Sequence, residues 1–311
     1  ISLIFQMINN CLKSILSAFR YIVNITRPLR KKRHSLKRKL IDLEKITRSM
    51  VKLHAWDMHQ KLLSEPRYKD EKRLLSFGFK GYSQNEEDGI IQEIFSRIGT
   101  TNKQFIEIGV GNGLENNTLY LLLQGWHGFW IEGNSNFVEQ IKNKFGFVIE
   151  NRTLIVKHAW VKKDNINELI SEKQQNNEEF DLLSLDIDGN DYHVLEAIDP
   201  LNARVIVLEY NFKYRPPVKW VMKYNPNHSS DDSDYYGASL KSFEILLSKK
   251  GYKLVGCNLY GVNAFFVRED LMKNHFLQNC TAENHYEPGR LFLRGWMLPL
   301  HVENFGPFEI K

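Results

Sequence analysis

Three cysteines in 311 residues, Cys11, Cys257 and Cys280, are too few and too scattered to frame a disulfide scaffold, and no two have the paired spacing of zinc ligands. A reducing, cytoplasmic setting is the natural reading. Long apolar runs are missing too. Residues 1–25 are rich in Ile, Leu, Phe and Val, but Asn9, Asn10, Lys13 and Arg20 interrupt them. The stretch therefore reads as an amphipathic helix lying in an interface, not as a membrane span, and no small-residue cleavage site follows it. Hydrophobic content of 42% and charged content of 25% exclude wholesale disorder and a polytopic membrane protein.

Acidic residues are scarce in one part of the chain only. Residues 1–80 carry 19 Lys/Arg against 6 Asp/Glu, while the remainder carries 23 against 31, so the overall +5 conceals a split of +13 and −8. A basic arm on an acidic body is expected to meet an anionic surface while the body does other work. After the basic run Arg27, Arg30, Lys31, Lys32, Arg33, Lys37, Arg38 and Lys39, apolar residues recur at Leu36, Leu40, Leu43, Ile46, Met50 and Leu53. Spacings of three and four mark an amphipathic helix that packs on the body, pairs with another copy, or lies peripherally on the inner face of a membrane. Nucleic acid is the less expected partner, because the acidic body offers no basic groove with interleaved aromatics.

From Tyr82 onward, apolar runs of strand length alternate with helical patterns, which is βα repetition. Strands are expected near 105–108, 128–132, 154–157, 182–186, 205–209, 252–257 and 264–267, the last two joined as an antiparallel hairpin. Helices are expected over 87–98 and 239–248. The chain divides on this reading into a basic helical segment at 1–75, a catalytic domain at 76–273 and an extension at 274–311. Residues 212–236, rich in Pro, Asn, Asp and Tyr, have no periodicity, and a loop of that length is often a lid or binding loop. His228, Asp231, Asp232 and Asp234 are its candidate acceptor contacts.

The strongest local signal is Glu107-Ile108-Gly109-Val110-Gly111-Asn112-Gly113, an apolar strand running into an acid and three alternate glycines. Such a turn lets backbone pass close to a bound molecule. The spacing is not the G-x-G-x-x-G of a dinucleotide site, and an acid two residues before the first glycine repels a pyrophosphate but suits a cationic ligand. Glu132, at the end of the second strand, is placed to accept both hydroxyls of a ribose. Asp186, Asp188 and Asp191 follow the fourth strand and Glu209 and Asn211 end the fifth, so they gather in the crevice where open α/β sheets bind ligands. Carboxylates there either take a proton from an acceptor hydroxyl or hold a divalent metal that acidifies it. His193 is a further candidate base. Ser83 followed by Glu86 reads as a helix cap, with Tyr82 and Gln84 nearby.

The glycine turn resembles motif I of the class I S-adenosylmethionine (SAM)-dependent methyltransferases. The segment Asp186, Asp188, Gly189, Asp191, Val194 and Leu195 resembles the D-x-E-G-x-E-x-x-V-L stretch of the FkbM-like family, with Asp where that family has Glu. The resemblance runs from about Tyr82 to Asp270 and leaves out residues 1–75. It implies a Rossmann-like α/β fold with a mostly parallel seven-stranded sheet ending in an antiparallel hairpin. It also implies SAM as cofactor, held by Tyr82, Gln84, Glu107, Gly109, Gly111, Gly113, Glu132, His158, Ala159 and Asp186. O-methylation of a sugar or glycan hydroxyl is the implied reaction, with Asp186, Asp188, Asp191 and His193 around the acceptor. Related O-methyltransferases that use Mg²⁺ imply Asp186, Glu209 and Asn211 as its ligands. The rival expectations are an RNA methyltransferase using the basic arm and a binding protein that keeps the fold without turnover.

Overall fold

The structure is a computed structural model that describes residues 10, 12–18, 30–173, 178–294 and 302–311, with the backbone alone over 30–36. Most of the expected interfacial segment 1–25 lies outside the described residues. Backbone contacts divide the chain into two compact units, 1–64 with 291–300, and 65–290 with 301–311. In the first, helix α1 (Arg30–Leu63) packs with a short 3₁₀ turn, Leu291–Arg294. Among the described residues no helix is long and apolar enough to cross a membrane.

The second unit is built on a seven-stranded sheet. Its strands in chain order are β1 (Gln104–Ile108), β2 (His127–Glu132), β3 (Leu154–His158), β4 (Phe180–Leu185), β5 (Ala203–Glu209), β7 (Tyr252–Cys257) and β8 (Asn263–Arg268). They lie in the order β3-β2-β1-β4-β5-β8-β7. The first five run parallel, and β8 enters antiparallel between β5 and β7. This is the expected Rossmann-like α/β arrangement, a mostly parallel seven-stranded sheet ending in an antiparallel hairpin.

The apolar texture explains which strands are central. Every residue of β4 is buried and only Glu209 of β5 is not, whereas β3, at an edge, keeps one buried residue, Leu154. Parallel strands covered on both faces carry continuous apolar runs and edge strands need not. Ile106, Ile131, Leu183, Ile206 and Phe266 belong to one core cluster with Leu195, Phe243 and Leu247 from the flanking helices. Helix α4 (Ser135–Glu150) packs on β2 and β3, and α7 (Leu240–Lys249) on β7. Two elements were not legible as strands: β6 (Val221–Met222) and β9 (Phe308–Glu309), which pair antiparallel in a small second sheet.

The strand order reverses at β1. Successive connections run outward one way to β2 and β3 and the other way to β4 and β5, so the loops after β1 and β4 part and open a crevice at the carboxyl ends. Gly109 and Asp186 are the first residues of those two loops.

Candidate functional site

Backbone at the mouth of the crevice approaches more closely than any side chain would allow. Gly109 has φ +83°, and a Cβ on it would stand 1.6 Å from the carbonyl oxygen of Asp186. The two strand ends are further tied by Asp186 N–H donating to Ile108 O at 3.0 Å, and Gly109 N–H donates to Ile131 O at 2.9 Å. Gly113 has φ +78° and lies against Trp130 and Phe145, whose rings are 2.8 Å from its virtual Cβ. Gly111 differs from both: nothing lies within 4 Å of where its Cβ would be. The turn is thus braced at its two ends and open in its middle.

Glu132 closes one side of that opening. Its carboxylate accepts from Gly111 N–H at 2.8 Å and Asn134 N–H at 2.7 Å, one bond to each oxygen. A carboxylate has about four lone-pair sites, so acceptor capacity remains on both oxygens. Ala159 N–H donates to Glu132 O at 3.0 Å, and the His158 ring nitrogen Nε2 lies 3.1 Å from Gly133 O. His158 and Ala159, expected among the residues holding the cofactor, are therefore beside Glu132. Trp160 covers Gly133 and donates through Nε1 to Pro226 O at 3.1 Å, which ties the end of β3 to the long loop.

Glu107 is placed differently from the expectation of a direct ligand contact. It is 3% exposed, and its carboxylate accepts from Asn117 N–H at 2.9 Å, the Ser184 hydroxyl at 3.1 Å and the Thr118 hydroxyl at 2.5 Å. Thr118 in turn accepts from Trp130 Nε1 at 2.8 Å. The acid thus holds the returning end of the glycine loop from inside. Burial pushes its carboxyl up to about 7, against the opposing pull of those donors.

At the carboxyl ends of β4 and β5, Asp186, Asp188 and Glu209 each present a carboxylate oxygen, all within 4.8 Å of one another. Burial and the neighbouring Asp188 and Asp191 charges hold the Asp186 carboxyl well above the usual carboxylate range. Asp188 sits at φ +52°. The ring of His228, from the long loop, packs on this turn: Nε2 is 3.1 Å from Asp188 O, and a Cβ on Gly189 would stand 2.2 Å from the ring.

Three expected site residues have other duties. Asp191 is buried at the start of α6 (Asp191–Ala197) and accepts from Ile187 N–H at 2.8 Å and Gly189 N–H at 2.9 Å, so it shapes the turn that carries Asp186 and Asp188. His193 is corrected as a candidate base. It is 5% exposed, Nε2 lies 2.7 Å from Met222 O, and the charged groups that act on it are Lys311, Glu309 and Glu196, none of them a crevice carboxylate. Asn211 is corrected as a metal ligand: its amide donates to Asp234 O and Tyr236 O, both at 3.0 Å, and its oxygen accepts from Lys213 N–H.

The segment before α2 (Glu87–Ile98) keeps only half of the cap expected from Ser83 and Glu86: Ser83 Oγ accepts from the first-turn N–H of Asp88 at 3.2 Å, but the reciprocal acid is Asp88, not Glu86. One Asp88 oxygen collects the N–H groups of Gly81, Tyr82 and Ser83 at 2.6–2.8 Å. Glu87, fully buried, accepts from Asn85, Asn258 and Asn263 and so ties this segment to the β7–β8 turn. Tyr82 is 39% exposed, and the Gln84 carbonyl accepts from Lys80. The long loop is held rather than loose. Asp231 accepts from Ser233 N–H, and Asp234 accepts from Asn304 N–H and pairs with Lys213.

No family model and no curated protein matches the chain. Among solved structures it is similar to an S-adenosylmethionine-dependent methyltransferase from Clostridium acetobutylicum ATCC 824, at 11% identity and TM-score 0.37 over 68% of this chain and 98% of that one. It is similar also to the CcbJ methyltransferase from Streptomyces caelestis, at 10% identity and TM-score 0.37 over 63% and 96%. A third is the glycopeptide N-methyltransferase MtfA complexed with S-adenosyl-L-methionine, at 10% identity and TM-score 0.37 over 57% and 92%. Likenesses of that size carry no argument about activity. What the crevice can do rests on its own residues.

Proposed function

We propose that this chain is a SAM-dependent methyltransferase acting on a hydroxyl, carried by a sugar or glycan. The observation that supports it most is the pairing of Glu132 with the glycine turn at the strand-order reversal. An open space lies before Gly111, beside a carboxylate with remaining acceptor capacity. Those features fit the two ends of SAM: Glu132 accepts from the ribose hydroxyls, and the space at Gly111 takes the methionine part. His158 and Ala159 lie toward the adenine. SAM supplies, when bound, a methyl group on a sulfonium that a nucleophilic oxygen displaces in line.

The protein's own contribution is alignment and proton removal. Asp186, Asp188 and Glu209 stand where a hydroxyl would be held, and an ionised member of the trio takes its proton. Three hard oxygen donors also fit Mg²⁺, which would acidify the hydroxyl; Asn211 would not join them. His228, against Asp188 and Gly189, replaces His193 as the imidazole nearest this group.

The test is methyl transfer from labelled SAM to a panel of sugars and glycans, with and without Mg²⁺. Transfer that falls about a hundredfold or more in Asp188→Asn supports the reading. Full transfer by that variant, or transfer only to amines, would contradict it.

A further inference from the structure

Helix α1 supplies none of the crevice residues named above, and it carries 11 Lys/Arg against 3 Asp/Glu. Its covered face runs through Thr47, Val51, Ala55, Met58 and Leu62, with Ala55 only 7% exposed. A second apolar line is not covered. Leu43, Ile46, Met50 and Leu53 are 49%, 57%, 66% and 66% exposed, follow one another at spacings of three and four, and lie about a third of a turn from the covered face. Arg38, Lys45, Arg48 and Lys52 fill the remaining third. Trp56, 62% exposed, stands at the border between the cationic and apolar lines.

Charge decides what this face can meet. Of the three acids, Glu44 pairs with Arg48 at 2.8 Å and Asp57 with Lys61 at 2.6 Å, both within the helix. A second copy of α1 therefore brings no row of acids to answer the cations, in either orientation. A nucleic acid would answer the cations but leave four large apolar side chains in water. A surface with both anionic groups and an apolar interior answers both lines.

We infer that α1 docks on an anionic lipid bilayer surface. Leu43, Ile46, Met50 and Leu53 enter the acyl boundary, Arg38, Lys45 and Lys52 lie among the headgroup phosphates, and Trp56 sits at headgroup level. The inference is independent of the methyl-transfer reading.

The experiment is co-sedimentation of the full chain with phosphatidylcholine vesicles, and with the same vesicles containing about 30 mol% phosphatidylserine. Binding is expected to the anionic vesicles alone and to weaken as salt is raised. Arg38→Gln/Lys45→Gln/Lys52→Gln is expected to bind roughly a hundredfold more weakly. Replacing Leu43, Ile46, Met50 and Leu53 together by Ser is expected to abolish binding while leaving the helical circular dichroism in place. A blue shift of tryptophan emission on anionic vesicles, absent in Trp56→Phe, places the helix in the interface without depending on how the multiple variants fold. Equal binding to neutral vesicles, or no binding to either, overturns the inference. So does a wild-type dimer that becomes monomeric in the serine variant, or duplex RNA binding that the serine variant retains.

Discussion

Glu107 is a residue whose acidity is set by its surroundings. Its carboxyl, ordinarily near 4.5, is raised to about 7 by burial. Between those values the folded chain keeps a proton that the unfolded chain has released, so this group's contribution is complete below pH 4.5 and is lost as pH rises to about 7. Glu107→Gln is expected to remove that dependence. Urea titrations at several pH values should show the variant gaining on the wild type by up to about 1.4 kcal/mol per pH unit within the window, and no further above it. Parallel curves would show that the proton is held elsewhere.

Gly109 makes a second residue-scale prediction. Its left-handed backbone and the Asp186 carbonyl 1.6 Å from any Cβ mean that Gly109→Ala must move β1 away from β4. A loss of at least about 3 kcal/mol in denaturant unfolding is expected, together with loss of SAM binding. An alanine variant of unchanged stability would mean that the turn is not braced as described. The glycines, Glu132 and the acids at the ends of β4 and β5 were legible in the sequence because each follows an apolar run at a strand end. The failure at His193 has an equally local cause. Spacing along the chain placed it near the acids, but helix α6 turns it toward Met222. His228 was named only as one of four candidate contacts on a loop without periodicity, with no sign of which turn it would meet. It lies 40 residues from Asp188 in sequence, and only the fold of the long loop brings its ring onto that turn.

Among the elements, the strands of the main sheet were readable to within two residues at most of their ends, since a buried parallel strand leaves a continuous apolar run. β6 and β9 were not, because two-residue strands leave no period, and their pairing joins residues far apart in sequence. The entry to α2 shows the same limit. Ser83 and Glu86 have the spacing of a cap, but Asp88 offers a better acceptor to three successive N–H groups. Asp88→Ala strands those donors, and a loss of about 3 kcal/mol is expected in chemical denaturation. A change below about 1 kcal/mol would indicate that water replaces the carboxylate without cost.

At the scale of the whole second unit, the end of the chain holds the long loop. Val302 N–H donates to Asp232 O, Lys223 N–H to Pro307 O, and Asn304 N–H to Asp234 at 2.8 Å. Removing residues 302–311 is expected to open 212–236 to protease while Glu132, at the end of β2, and the glycine turn keep their arrangement. Mapping the first cleavage by mass spectrometry checks this, and an uncut loop would contradict it. Nothing in the sequence announced that support, because the tail has neither period nor motif.

The central claim is that a sulfonium nucleoside lies before Gly111 with its ribose on Glu132. Its most direct test is a calorimetric titration of the purified chain with SAM and with its demethylated product, repeated for Glu132→Ala. Binding by the wild type, weakened roughly a hundredfold in the variant by the loss of two charge-assisted hydrogen bonds, is the predicted result. A wild type that takes up neither compound, or a variant that binds them as tightly, would contradict it.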